Sequence, residues 1–230
     1  MEIRKTNTIW HSPYNVYKHL LRLSKAVAPE AIEKEGKYKP VREVRLAAVV
    51  ALILSQRTKK PAYVQLSPRD PPDAYLMQQS LIKKGQLDIT TLEITSYRHN
   101  SHETLLDQLI RTKVGQVQKY TDEYVLAVEL LSKEEIDYDA IRDYLNKVKI
   151  SFPVWTLFGK TIDGSTTAEF TIVNPVTYQS EINIGEVAYN LKQQGMLDVI
   201  FVKRAGSEIS VRTESAGTYE SSPWEGLIKK

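Results

Sequence analysis

Apolar residues recur at helical spacing at Val16, Leu20, Leu21, Leu23 and Val27, with Ser12 and Pro13 just ahead of them. A capping serine and a first-turn proline predict an amphipathic helix over 13–27. The charged stretch 30–40 reads as a surface helix or loop. Residues 41–56 are good helix formers and apolar nearly all round after Arg45, which predicts a second, mostly buried helix. Past Lys59-Lys60-Pro61 the period falls to two. Segments 62–67, 73–82 and 87–97 read as strands, and Pro68, Pro71 and Pro72 break the chain between the first two. Lys83-Lys84-Gly85-Gln86 is a turn, so the second and third strands form an antiparallel hairpin.

A helix over 101–120, a strand over 124–131, a helix over 137–149 and a strand over 154–158 follow. Beyond Gly164 come strands at 168–173 and 180–184, a helix at 186–194, and a last hairpin. Its arms are 199–202 and 209–212, turned at Ala205-Gly206-Ser207. This order predicts an α/β (α+β) fold, a mixed sheet flanked by helices. The expected organisation is an N-terminal helical segment over 1–40 and a core over 41–160. An α+β extension over 161–212 packs on that core, and a polar, flexible tail covers 213–230.

Composition narrows the function classes. With 42% hydrophobic and 26% charged residues in 230, the chain can bury a real core. A formal charge of +3 permits a nucleic-acid partner without requiring one. The absence of cysteine excludes disulfides, zinc thiolates and thiol nucleophiles, and makes a cytoplasmic location the expectation. No secretion signal is evident, and the longest apolar run, 46–54, is about half a membrane span, so no membrane partner is expected. Phosphate-binding glycine loops and the G-x-S-x-G elbow are absent. His99-x-x-His102 lacks a second ligand pair at zinc spacing.

The candidate chemistry lies on the hairpin. With the turn centred on Lys84 and Gly85, opposed residue numbers sum to about 168 or 169. Asp73 then faces Thr95, and Glu93 sits within one pair of it, on strands about 4.8 Å apart. Two carboxylates this close repel unless a proton or cation lies between them. A hard divalent ion takes one or two carboxylates, fills its shell with water and phosphate oxygen, and activates an attacking water. An Asp/Glu pair of this kind is more commonly a turn residue beside an exposed strand residue. On the next helix Gln116 and Tyr120 are i and i+4, with Lys113 one turn earlier. Amide, phenol and ammonium suit a phosphate backbone, or simply an ordinary polar helix face.

Taken together, Pro72-Asp73, Glu93-x-Thr95 and Gln116-x-x-x-Tyr120 resemble the PD-(D/E)xK nuclease superfamily. The Q-x-x-x-Y element resembles its RecB-like branch, and the similarity covers residues 41–158. The resemblance implies a restriction-endonuclease-like fold and a nuclease that hydrolyses phosphodiester bonds, with DNA as the expected substrate. It implies Mg²⁺ or Mn²⁺ on Asp73 and Glu93, with Glu43 as an additional acidic ligand, and Gln116 and Tyr120 positioning substrate. Thr95 stands where the family has its lysine and supplies no charge. Lys113 is then the candidate for a relocated cation. A homodimer or a partner protein is a further expectation. The alternatives are a nuclease-fold protein that binds nucleic acid or protein without cutting, and an α+β domain with no nuclease ancestry.

Overall fold

Ser12 Oγ accepts the Asn15 N–H at 3.0 Å and Pro13 fills the first turn, so helix α1 (Pro13–Ala26) starts where the capping signals place it. The computed structural model describes residues 7–67, 72–82, 86–98, 103–110, 124–132, 135–149, 153–158, 167–173, 177–205, 208–213, 222–225 and 227. The stretch expected as surface helix or loop holds α2 (Pro29–Lys34) and a 3₁₀ turn, Gly36–Tyr38. Helix α3 (Lys39–Thr58) follows, and its residues 46–53 are all buried.

The meander is β2 (Ala62–Leu66), β3 (Ala74–Gln79) and β4 (Leu87–Tyr97). Ser55 Oγ ties its start to α3 by donating to Ala51 O and accepting the Ala62 N–H. Helix α4 (Leu105–Leu109) opens with a capping box between Thr104 and Asp107. The rest of the helix expected to 120 lies outside the described residues, as does the turn expected at 83–85. Then come β5 (Tyr124–Leu130), α5 (Tyr138–Lys147), β6 (Val154–Phe158), β7 (Thr167–Val173), β8 (Tyr178–Asn183), α6 (Ile184–Gln193), β9 (Val199–Ala205) and β10 (Glu208–Thr213).

One strand has no counterpart in the sequence reading. Strand β1 (Asn7–His11) pairs antiparallel with β9 along its length and meets β2 at His11↔Val64. The ten described strands form a single mixed sheet in the order β10-β9-β1-β2-β3-β4-β5-β6-β7-β8. Pairing is parallel at β4–β5 and β5–β6 and antiparallel elsewhere.

Alternation along the strands separates two faces. On the first, α1, α3 and α6 cover Val64, Leu76, Leu92, Ala127, Leu157 and Phe170. On the second, α4 and α5 cover Tyr97, Leu126, Val128 and Val154. Residues 161–212 supply β7 and β8 at one end of the sheet, β9 and β10 at the other, and α6 to the first face. The tail expected to be loose holds a described turn at 222–225. There Trp224, 5% exposed, joins the main core and meets the His19 ring edge-on at 6.2 Å. No helix among the described residues is long and apolar enough to cross a membrane.

Candidate functional site

The observed hairpin register corrects the expected one. Pairs run from Ala74↔Leu92 to Gln79↔Leu87, and Ser80 N–H closes on Gln86 O at 2.8 Å. The loop is therefore longer than a tight turn at Lys84-Gly85, and the register moves by two residues. One more step along the ladder sets Asp73 across from Glu93 rather than Thr95. A two-residue shift keeps the two acids opposite one another on the ladder, although the Asp73 side chain turns to Glu43 on α3.

Asp73 is the residue just ahead of β3. Its carbonyl accepts the Ser67 N–H at 2.9 Å, which continues the β2–β3 ladder. Its side chain bends to the neighbouring strand, where Oδ2 accepts the Ile94 N–H at 2.7 Å. The carboxylate thus takes the place of a backbone partner for β4 and is fixed at the strand's edge. Glu43, on α3, stands close enough for the two carboxyl groups to share a proton. Burial, and then the Asp73 charge, push the Glu43 pKa up to about 7, while Lys39 pulls the other way. Lys39 Nζ lies 3.2 Å from Glu43 Oε1 as an ion pair, although that buried oxygen makes no hydrogen bond.

Glu93 is 4% exposed and Asp73 7%. Leu92 and Ile94 pack toward α3, whereas Leu126 and Val128, the register partners of Glu93 and Thr95, lie in the second-face core. Alternation therefore carries Glu93 and the half-buried Thr95 to the α4 side. Glu43 and Asp73 meet, and Glu93 is the residue beside the amide that Asp73 holds. Lys113, Gln116 and Tyr120 lie outside the described residues, as do His99 and His102. Among the described residues no group of three or more His, Asp or Glu is arranged to hold a metal ion. The Glu43–Asp73 pair nonetheless suits a hard cation, which needs only one or two carboxylates and can replace their shared proton.

Two contributors escaped the sequence reading. Lys39 is i−4 to Glu43, a spacing that signals a helical ion pair. Arg45, 3% exposed, reaches Glu33 on α2 at 2.6 Å and also pairs with Glu129 on β5. Burial raises the Glu129 pKa, and Arg45 opposes that rise. This bridge locks α3 against α2 and the sheet, and so fixes the stretch that carries Glu43. No family model matches this chain, and no curated protein matches it.

Proposed function

We propose that the protein is a divalent-metal-dependent nuclease of restriction-endonuclease-like fold that hydrolyses phosphodiester bonds in DNA. The observation that carries this reading is the pairing of half-buried Glu43 with buried Asp73, which is anchored on the Ile94 amide. Two acids held together and partly shielded from water destabilise each other, and a bound cation would relieve them. The order of elements supports the fold: α3, three antiparallel strands, the helix begun at α4, and β5 parallel to β4.

Mg²⁺ or Mn²⁺, when bound, would polarise the phosphodiester and lower the pKa of an attacking water. Asp73 and Glu43 would hold it, while Glu93, carried to the α4 side of the sheet, remains a candidate from the sequence alone. The Ile94 N–H keeps the Asp73 carboxylate oriented, and Glu43 would hold a cation in its deprotonated form. Lys39 is a cation already beside the pair, and Lys113, Gln116 and Tyr120 remain sequence candidates for gripping the phosphate backbone. A homodimer or partner protein is part of the same reading.

Thr95 favours a second reading, a nuclease-fold module that binds nucleic acid without cutting, because a hydroxyl brings no positive charge to the phosphate. The deciding assay is Mg²⁺- or Mn²⁺-dependent cleavage of single- and double-stranded DNA and RNA. Asp73→Ala and Glu93→Ala are each expected to lower the rate by at least about 100-fold, the scale of a lost transition-state electrostatic contact. Cleavage that survives both substitutions discards the nuclease reading. Salt-sensitive binding with no cleavage by the wild type selects the second.

A further inference from the structure

The sheet opens between β1 and β2. These strands pair only at His11↔Val64, while β1 follows β9 along all five of its residues. Continuing the ladder would set Ile9 against Leu66, and no such pair forms. Alternation decides which backbone groups are left facing the gap. Ser12 N–H donates to Asp198 O, so residues 12, 10 and 8 turn their backbone groups to β9, and Ile9 turns its own toward β2. Ser67 N–H donates to Asp73 O, so Leu66 turns its N–H and C=O away from β3 and toward β1. Two strand residues therefore aim donors and acceptors across an open slit, where backbone groups need a partner.

A cavity of about 350 Å³ occupies the slit, a size that suits a small ligand. Ile9, His11, Gln65 and Leu66 form one side of it, and the turn bearing Ser222 and Glu225 forms the other. His11 is buried, and its Nδ1 accepts from Asn15 Nδ2, so the ring proton sits on Nε2. That nitrogen has no hydrogen-bond partner among the described residues. With its pKa lowered to about 4, chiefly by burial, the ring is neutral at pH 7. The cavity thus offers a neutral N–H, the half-buried Gln65 amide, backbone groups on two walls and the carboxylate of exposed Glu225. Ile9 and Leu66 add aliphatic surface, and no lysine or arginine lines it.

We propose that this slit is a nucleobase pocket, in which one unstacked base lies between the Ile9 and Leu66 walls and is read by the His11 imidazole, the Gln65 amide and the Glu225 carboxylate. The ligand class rests on the nucleic-acid reading, but the pocket needs no catalysis. A base is flat, apolar on its faces and edged with neutral donors and acceptors, so apolar walls with a few polar groups can hold it. A phosphate does not suit this cavity, because Glu225 would repel it and no cation lines the walls. An inserted peptide is the less fitting occupant, because strand addition draws on a run of main-chain bonds. Between the joint at His11 and the end of β2, only Ile9 and Leu66 turn such groups into the gap. The slit and the acids share one end of β2, since Ser67, which bonds Asp73, directly follows Leu66. A base held here would anchor a strand near the carboxylates.

The test follows the Ile9 and Leu66 amides of the full chain by ¹⁵N NMR in EDTA as ligand is added. The probes are the four deoxynucleoside monophosphates, deoxyribose 5-phosphate as a control without a base, and a single-stranded octanucleotide whose bases are free to unstack. A base-bearing probe is expected to shift both amides saturably, and the sugar phosphate to leave them in place. Gln65→Ala with Glu225→Ala is expected to weaken that binding about 10-fold, the scale of two lost hydrogen bonds. A urea transition matching the wild type certifies this variant, and Glu225→Ala alone, on an exposed turn, replaces it otherwise. Saturation by the octanucleotide marks the base as part of a strand, and saturation by a monophosphate alone marks a free nucleotide; either supports the pocket. No saturable shift with any base-bearing probe overturns the proposal, as does an equal shift from the sugar phosphate or undiminished binding by the variant. So does a valine-rich pentapeptide that moves both amides when no nucleotide does. A bound base without any metal-dependent cleavage supports the pocket and removes only the nuclease reading. Cleavage with both amides unmoved by every nucleotide removes only the pocket.

Discussion

Burial and the adjoining Asp73 carboxyl raise the Glu43 pKa from 4.5 to about 7, so the folded protein holds a proton that the unfolded chain has released. Between those values the native state binds more protons than the unfolded state, and stability falls as pH rises through the window. In metal-free buffer Glu43→Gln should match the wild type near pH 4.5 and exceed it at pH 8 in urea midpoint. A wild type that instead gained on the variant across that range would show that Glu43 is not protonated at neutral pH. With millimolar Mg²⁺ the wild type should gain stability and the variant much less, since cation binding to the folded state adds to its stability. Arg45 presents the opposite case, a buried cation that is already matched. Arg45→Ala leaves the largely buried Glu129 without its partner, and the expected loss is about 3–5 kcal/mol in urea unfolding. A loss under about 1 kcal/mol would mean that the bridge behaves as an exposed pair.

Strand β1 is joined to β2 through His11↔Val64, and His11 lies buried at that joint with Nδ1 accepting from Asn15 Nδ2 at 3.0 Å. Burial, then the neighbouring His19, lower the His11 pKa from 6.5 to about 4. The unfolded chain takes up a proton below pH 6.5 that the folded one refuses until about pH 4, so stability is lost as pH falls through this window. The shift corresponds to ~3 kcal/mol at 1.36 kcal/mol per pKa unit, and His11→Gln should flatten the acid limb by a comparable amount. Hydrogen exchange should show β1 amides opening first on acidification, and uniform opening of the sheet would contradict this. The same strand shows where sequence legibility ends. Helix α1 and strand β4 lie within a residue of expectation because a cap, a proline and an alternation are local signals. Strand β1 is five residues long and owes its existence to β9, near the other end of the chain, so nothing nearby announces it. The hairpin register failed by two for a related reason: Ser80 and Gln86 close a loop longer than a two-residue turn. Asp73 and Glu93 stay opposite one another on the ladder because a two-residue error keeps the alternation, but the acid that Asp73 meets is Glu43 on α3, which hairpin spacing does not announce. The bridge at Arg45 was not legible either, because Glu33 and Glu129 come to it from α2 and β5, and the length of each ion pair is a tertiary matter.

The sheet binds the first and last thirds of the chain to one another, and this sets how the whole molecule should respond to shortening. Strand β1 lies between β9 and β2, so the N-terminal strand has most of its pairing from the C-terminal hairpin. Strand β6 takes β7 as its outer neighbour, and the first-face core runs without a break from Val16 through α3 to Ala188, Leu191 and Trp224. Ending the chain at 160 would remove β7 to β10 and α6 together. It would uncover the first-face core beside α3, expose an edge of β6, and leave β1 with a single pair. Burial lost on this scale outweighs any loop entropy regained, because small domains have only about 5–15 kcal/mol of net stability. The 1–160 fragment is therefore expected to show helical circular dichroism without a sharp urea transition, and to bind a hydrophobic dye. Ending the chain at 213 instead keeps every described strand and, among the described residues, forfeits mainly Trp224. That shorter loss should lower the midpoint while preserving one cooperative transition, at a cost of about 3–5 kcal/mol for a large buried aromatic. A 1–160 fragment that unfolds sharply and cleaves DNA would mean that the core folds and works without the strands that flank it.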